Sequence, residues 1–151
     1  FNTFCYLDNN NYQDYKYSNY ELLVAVGKKE FIETSSGNAF GELEQFLSQN
    51  NDWAFGHFNY DLKNEIENLH SSNADQLHFP ELFFFIPEHI IYIQSGSNEV
   101  VIESNDPENV FNSINKIAES KAFNDEEINI QSRFPKDDYL KTVERIREHI
   151  A

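Results

Sequence analysis

Leu82-Phe83-Phe84-Phe85-Ile86-Pro87-Glu88-His89-Ile90-Ile91-Tyr92-Ile93-Gln94-Ser95-Gly96-Ser97-Asn98-Glu99-Val100-Val101-Ile102-Glu103 carries three strand signals in one run. Leu82–Ile86 is unbroken apolar sequence held between Pro80 and Pro87, the pattern of a strand covered on both faces. Phe83, Phe84 and Phe85 could instead line a ligand pocket, but a doubly buried strand explains three consecutive rings better. His89–Gln94 and Glu99–Glu103 flank Ser95-Gly96-Ser97-Asn98, so the spacing predicts a hairpin.

Upstream, Tyr20–Val26 and Glu30–Thr34 are apolar, β-rich runs separated by Gly27-Lys28-Lys29 and read as another hairpin. Trp53–Tyr60 reads as a strand in which Gly56 marks a bulge or a close backbone approach. Ile128 and Ile130 alternate with polar residues and suggest one more strand. Helical signals interleave with these. Over Asn38–Gln49 the apolar residues Phe40, Leu43, Phe46 and Leu47 share one face, with Glu42 and Glu44 placed early. Asp106-Pro107-Glu108 is an N-cap followed by a proline at the first helical position, and Val110, Ile114 and Ile117 mark a buried stripe. A last helix opens after Pro135 with Asp137 and Asp138 and would bury Leu140, Val143, Ile146 and Ile150. Strands and helices mix without a regular βαβ period, which predicts an α+β fold of antiparallel sheets packed with flanking helices.

The 151 residues fit one domain and are 40 % hydrophobic and 25 % charged, so the chain is not a disordered acidic tail. Fourteen Phe, eight Tyr and one Trp favour a sheet-rich core. The formal charge of −15, with no basic patch, argues against nucleic-acid binding, because like charge repels the phosphate backbone. Residues 133–151 carry five basic and four acidic groups, whereas everything before them is strongly acidic. With Arg133-Phe134-Pro135, that shift predicts a domain over 1–132 and a linker helix over 133–151. No run reaches a membrane span, no apolar leader opens the chain and no Asn-x-Ser/Thr sequon occurs, so a cytoplasmic protein without a membrane partner is expected. The chain begins at Phe1 and ends within a helical pattern, as a fragment of a longer protein would.

Familiar catalytic frameworks are missing. The histidines at 57, 70, 78, 89 and 149 include no i,i+4 pair, and one cysteine cannot seed a structural zinc site. There is no Gly-x-Gly-x-x-Gly, P-loop or Gly-x-Ser-x-Gly. Cys5 reads as a small, half-buried apolar side chain rather than a nucleophile. The carboxylate pairs Glu65/Glu67 and Asp137/Asp138 read as solvated faces. Tyr17-Ser18-Asn19-Tyr20 is more specific. Two phenols, a hydroxyl and an amide precede an apolar strand, which suits a pocket for a small zwitterion or aromatic ligand, although a plain polar entry into the strand has the same pattern.

The order of segments Leu7-Asp8-Asn9, Tyr17 to Ala25, Phe55-Gly56-His57-Phe58-Asn59-Tyr60-Asp61-Leu62 and Phe79-Pro80-Glu81-Leu82 resembles the N-terminal domain of the chorismate-utilising synthases. Tyr60 to Glu67 looks most like the para-aminobenzoate (aminodeoxychorismate synthase component I) branch, with anthranilate synthase component I as its sister. Phe134 to Ala151 looks like the helix leading into that family's catalytic domain. The resemblance implies two packed sheets built from both halves of a longer chain, with the chorismate and magnesium ligands in the half that follows. It therefore implies a non-catalytic piece with no cofactor of its own. Its parent would use magnesium, pair with a glutamine amidotransferase subunit, and aminate chorismate to 4-amino-4-deoxychorismate for folate synthesis.

The resemblance also implies a tryptophan-like pocket, carried over to Asn9 at the family's Leu-x-Ser turn and to Tyr17, Ser18, Asn19 and Tyr20 at its Tyr-Ser-Arg-Phe tetrapeptide. Asn9 replaces a hydroxyl, and Asn19 replaces a guanidinium able to clasp a carboxylate, a loss of about 1.5–3 kcal/mol for a charged hydrogen bond. Gly56, Tyr60 and Asp61 form a junction strand. Asp61 could orient a group at the catalytic half, or Tyr60 could pack in the core while Asp61 caps the turn at Lys63-Asn64, the favoured reading. The competing class of function is a stand-alone binding or interaction module. A half-enzyme should leave apolar surface open and a module should not.

Overall fold

The computed structural model describes residues 2–10, 12, 19–34, 37–67, 77–119, 131–132 and 134–150. The expected strand at Ile128 and Ile130 falls outside them. The chain divides into two compact units, Phe1–Glu119 and Ser120–Ala151.

The first unit contains β1 (Phe4–Asp8), β2 (Tyr20–Val26), β3 (Glu30–Thr34), α1 (Ala39–Gln49), β4 (Phe55–Phe58), a 3-10 helix (Tyr60–Glu65), β5 (Leu82–Ile86), β6 (His89–Gln94), β7 (Val100–Glu103) and α2 (Pro107–Glu119). All strand pairs are antiparallel and form a four-stranded sheet, β1-β2-β6-β7, and a three-stranded sheet, β3-β5-β4. The α+β expectation holds, and β6 and β7 form the predicted hairpin.

The β2–β3 hairpin is corrected. Both strands exist, but β2 pairs with β1 and β6 in one sheet, and β3 pairs with β5 in the other. Val26 faces His89 across the first sheet and Glu30 faces Ile86 across the second. The β2–β3 segment therefore runs antiparallel to the β5–β6 segment, and this two-stranded ribbon bends from one sheet into the other. Corners of this kind let consecutive strands change sheets. At the bend Gly27 has φ +75°, and a Cβ there would lie 2.8 Å from the Glu88 carboxyl carbon. Lys29 N–H donates to the Ile86 carbonyl at 2.8 Å, and Glu88 N–H to the Val26 carbonyl at 3.1 Å, so the ladder continues through the corner.

The strand expected over Trp53–Tyr60 is shorter. Only Phe55–Phe58 pair with β5, and Tyr60 opens the 3-10 helix. Tyr60 is 80 % exposed rather than packed in the core. Gly56 does mark a close approach: a Cβ would overlap the Phe83 carbonyl and lie 2.7 Å from Phe84 Cα.

β5 is the middle strand of its sheet and has apolar layers on both sides. Ala25 and Ile90 from the first sheet pack with Phe55 and Phe85 from the second. On the far side of β5, Leu82 and Ile86 pack with Leu62 and with Ala39, Leu43 and Phe46 of α1. Phe85 and Leu82 are fully buried, and each such side chain contributes about 1.5–3 kcal/mol. The buried face of α1 is Ala39, Leu43 and Phe46, so the expectation for Phe40 and Leu47 is corrected. Both are more than 40 % exposed, and Phe40 stacks on Phe58 at 6.1 Å.

Asp106 caps α2 as expected: its Oδ1 accepts Asn109 N–H at 3.2 Å. The buried stripe does not follow, since Ile114 and Ile117 are exposed and Val110 is only half-buried. In the second unit, α3 (Lys136–Ile150) begins after Pro135 with Asp137 and Asp138 in its first turn. Leu140, Ile146 and Ile150 are exposed, Val143 is half-buried and no residue of α3 is buried, another correction. Both helices have sound apolar periodicity, but periodicity names a face without supplying its partner.

Candidate functional site

Asn9, Asn19 and Tyr20 come together at one end of the four-stranded sheet. Tyr17 and Ser18 lie outside the described residues. Asn9 N–H donates to the Glu21 carbonyl at 3.0 Å, tying the end of β1 to the start of β2. The next residue, Asn10, adopts φ +51° and donates its N–H to Asp8 Oδ1 at 2.6 Å. Across the sheet, the Asn19 carbonyl accepts Ser95 N–H at 3.0 Å, and Glu21 Oε1 accepts Gly96 N–H at 3.0 Å. The β6–β7 turn is thereby fastened to the entry of β2.

Tyr20 reaches the space between the sheets through a register shift. It faces Gln94 and Leu22 faces Ile93, leaving Glu21 as the extra residue. Strict alternation would put Tyr20 on the face of Leu22. The bulge returns it to the face of Leu23 and Ala25, both packed in the inter-sheet core. There its ring meets Tyr92 edge-on at 5.4 Å and Trp53 edge-on at 6.0 Å. Trp53 stacks on Phe55 at 6.0 Å, and Phe55 meets Phe85 at 6.2 Å. A row of rings thus crosses from one sheet to the other. The sequence reading missed Trp53, Tyr92 and Glu103. Only Tyr92 had a signal, because it alternates with the buried Ile90.

The electrostatics of this row are acidic. Tyr92 hydrogen-bonds Glu103, which together with desolvation and the negative charge holds the phenol above its ordinary pKa. An open pocket of about 530 Å³ beside the row is lined by Asn51, Asp52, Trp53 and Glu103. Lys29 approaches Asp52 at 3.9 Å. Two carboxylates and a ring suit a planar, neutral or cationic group and disfavour a dicarboxylate such as chorismate.

Gly56, Tyr60 and Asp61 sit elsewhere, on β4 and the 3-10 helix, and do not join this row. Asp61 Oδ1 pairs with Lys63 Nζ at 2.9 Å, and that ammonium lies 4.8 Å from the Tyr60 ring centre. Glu65 corrects the solvated-face reading: its two carboxylate oxygens accept Ala39 N–H at 3.0 and 2.9 Å. Asn38, the N-cap residue of α1, makes no side-chain cap, so Glu65 supplies one from a distant element.

Cys5 is half-buried and its thiol is pushed up by desolvation, the environment of a packing residue rather than of an activated nucleophile. His89 Nδ1 and Ser104 Oγ lie 2.7 Å apart, and Ser104 Oγ also accepts Asp106 N–H at 3.0 Å, which straps β6 to the start of α2. Among the described residues no three His, Cys, Asp or Glu side chains converge as a group that could hold a metal ion. No helix among them is long and apolar enough to cross a membrane.

An antiparallel two-sheet fold with helices fixes the class as α+β and not the chemistry. The family model for chorismate binding enzyme matches residues 2–151, and the chain belongs to that family. No curated protein matches the chain.

Proposed function

We propose that this chain is the N-terminal part of component I of an aminodeoxychorismate synthase. Its parent would aminate chorismate to 4-amino-4-deoxychorismate with ammonia from a glutamine amidotransferase partner, in the cytoplasm, with magnesium held outside the residues described above. The part described acts structurally and carries no catalysis of its own. The observation that carries this reading is the family match over residues 2–151 combined with apolar surface left open. Phe4, Tyr6, Phe31, Phe58, Phe79 and Ile66 are each about half exposed or more. A stand-alone module has no reason to present so many large apolar side chains, whereas a domain that packs against a second half does. The choice of branch rests on Tyr60 to Glu67. In this segment Leu62 anchors the core and Glu65 caps α1.

The test is to express the parent protein from its gene with the amidotransferase subunit, supply chorismate and glutamine, and separate the products. Accumulation of 4-amino-4-deoxychorismate is expected. Anthranilate in its place moves the chain to the tryptophan branch. No amination of chorismate with either glutamine or free ammonia sinks the synthase reading.

A further inference from the structure

We propose that the free edge of β4 pairs antiparallel with the same edge of a second copy of this chain, so that two three-stranded sheets become one about a two-fold axis at His57. This pairing goes beyond the activity proposed above and does not depend on it. Among the described strands β4 has a neighbour on one side only, β5, and lies at the end of its sheet. Asn59 N–H donates to the Glu81 carbonyl at 2.7 Å. By the alternation of an antiparallel ladder His57 also turns its backbone groups toward β5, while Gly56 and Phe58 turn theirs outward. Gly56, His57 and Phe58 are all exposed.

Charge and shape select a second copy as the occupant. Edge strands are commonly guarded by charged side chains. β3 carries Glu30 and Glu33, β7 carries Glu103 and β1 carries Asp8, whereas Phe55–Phe58 hold no carboxylate and no ammonium. In a chain of −15, β4 is flanked by balanced pairs, Lys29–Asp52 before it and Lys63–Asp61 after it. An antiparallel copy sets the start of one β4 beside the end of the other, so a balanced pair meets a balanced pair at each end of the joint. With the axis at His57, Gly56 lies opposite Phe58 of the second copy, and Phe58 opposite its Gly56. Both residues belong to the face on which Phe58 packs against Phe84 and Phe40. Each ring therefore covers the bare backbone of the facing glycine, a cross-strand arrangement that supports glycine in a strand. His57 faces its own counterpart in a non-hydrogen-bonded pair, where side chains come closest. Two neutral imidazoles tolerate that position and two imidazolium ions oppose it. The other charged groups on that face are Glu33, in the His57 row on β3, Glu81, opposite Asn59, and Lys28 over Phe31. Carboxylates and ammonium groups keep their charge across the range in which an imidazole gains its own, so His57 gives the pairing its pH signature.

The experiment is sedimentation equilibrium of the full chain over a wide range of concentration, beside His57→Lys and His57→Gln, with circular dichroism to confirm that each is folded. At about pH 7.5 the unmodified chain should form a dimer, and the dissociation constant should rise at least about tenfold on acidification to about pH 5.5. General charge repulsion acts in the other direction, because acidification lowers the net negative charge and favours association. His57→Lys puts two ammonium groups on the axis and should be monomeric. His57→Gln should dimerise at both pH values, since the amide does not titrate. A chain that stays monomeric at every concentration overturns the proposal. So does a dimer that His57→Lys leaves intact, because it lies on another face, and so does a dimer that tightens on acidification. If His57→Lys does not fold, the contrast in pH dependence between the unmodified chain and His57→Gln decides, and an equal response of the two overturns the proposal.

Discussion

At Gly56 the chain has no room for a methyl group, because the backbone of the neighbouring strand occupies that space. Gly96 offers a contrast: nothing lies within 4 Å of its missing Cβ, and only its φ of +75° disfavours a side chain. Gly56→Ala must push β4 away from β5 and should cost about 3 kcal/mol or more, within the range of severe core changes. Gly96→Ala should cost only about 1 kcal/mol, the penalty of a left-handed backbone. Urea midpoints of the two variants check this, and equal losses would mean that β4 yields easily. Gly56 shows how one residue's meaning depends on what crosses it. A glycine inside a strand pattern suggested a bulge or a close approach, and the sequence could not choose between them. Tyr20 is the opposite case. Its role in the aromatic row depends on the bulge at Glu21, and nothing in Tyr20-Glu21-Leu22 announces that bulge.

Elements support one another across long separations in sequence. α1 lacks a cap from its own N-terminal residue and takes Glu65 instead, 26 residues away. Removing that carboxylate with Glu65→Ala should destabilise the chain by about 1 kcal/mol, as for other N-terminal caps. Amide exchange at Ala39 should quicken more than exchange at Phe46, deeper in the helix. Unchanged exchange at Ala39 would show that water replaces the carboxylate at no cost. The α2 cap, by contrast, was legible: Asp106-Pro107-Glu108 is a local device, and Asp106 makes the bond its position predicts. The exposed stripes of α2 and α3 were not legible as exposed. Ile114, Ile117, Leu140 and Ile146 have the spacing of a buried face, and a pattern of spacing carries no information about whether a partner is present.

For the whole molecule, acidity is the dominant electrostatic fact. The chain carries 26 acidic and 11 basic groups. Ion pairs among the described residues include Lys29–Asp52, Lys63–Asp61 and Lys141–Asp138, all with partly exposed side chains. Such pairs offset little of the repulsion among the remaining carboxylates. Raising ionic strength from about 0.01 to 0.15 M shortens the screening length from about 30 to 8 Å. The melting temperature should rise by about 2–4 °C, equivalent to about 1 kcal/mol in a chain of this size. A melting temperature that is flat or falls with salt would mean that the acidic groups are spaced widely enough to be mutually indifferent. The open apolar surface belongs to the same scale, with Phe4, Tyr6, Ile66 and Phe79 each more than half exposed.

What the sequence by itself determined was local or statistical: six of the seven strands, the three helices, the α2 cap, the antiparallel α+β class and the membership of a chorismate enzyme family that the match over residues 2–151 supports. The elements, the cap and the class follow from residue spacing, proline and glycine placement and side-chain chemistry, all of which a short window contains, whereas the family rests on the resemblance of whole segments. Tertiary structure alone decided which strands pair, that Gly27 turns a corner between sheets, that Tyr20 faces inward and that Glu65 holds the start of α1. The physical reason is that a period of two tells a strand which face is apolar but not which strand lies beside it. Pairing energy comes from residues far apart in the chain, so a local pattern that fits a hairpin fits a bent ribbon equally well until the partner strands are in place.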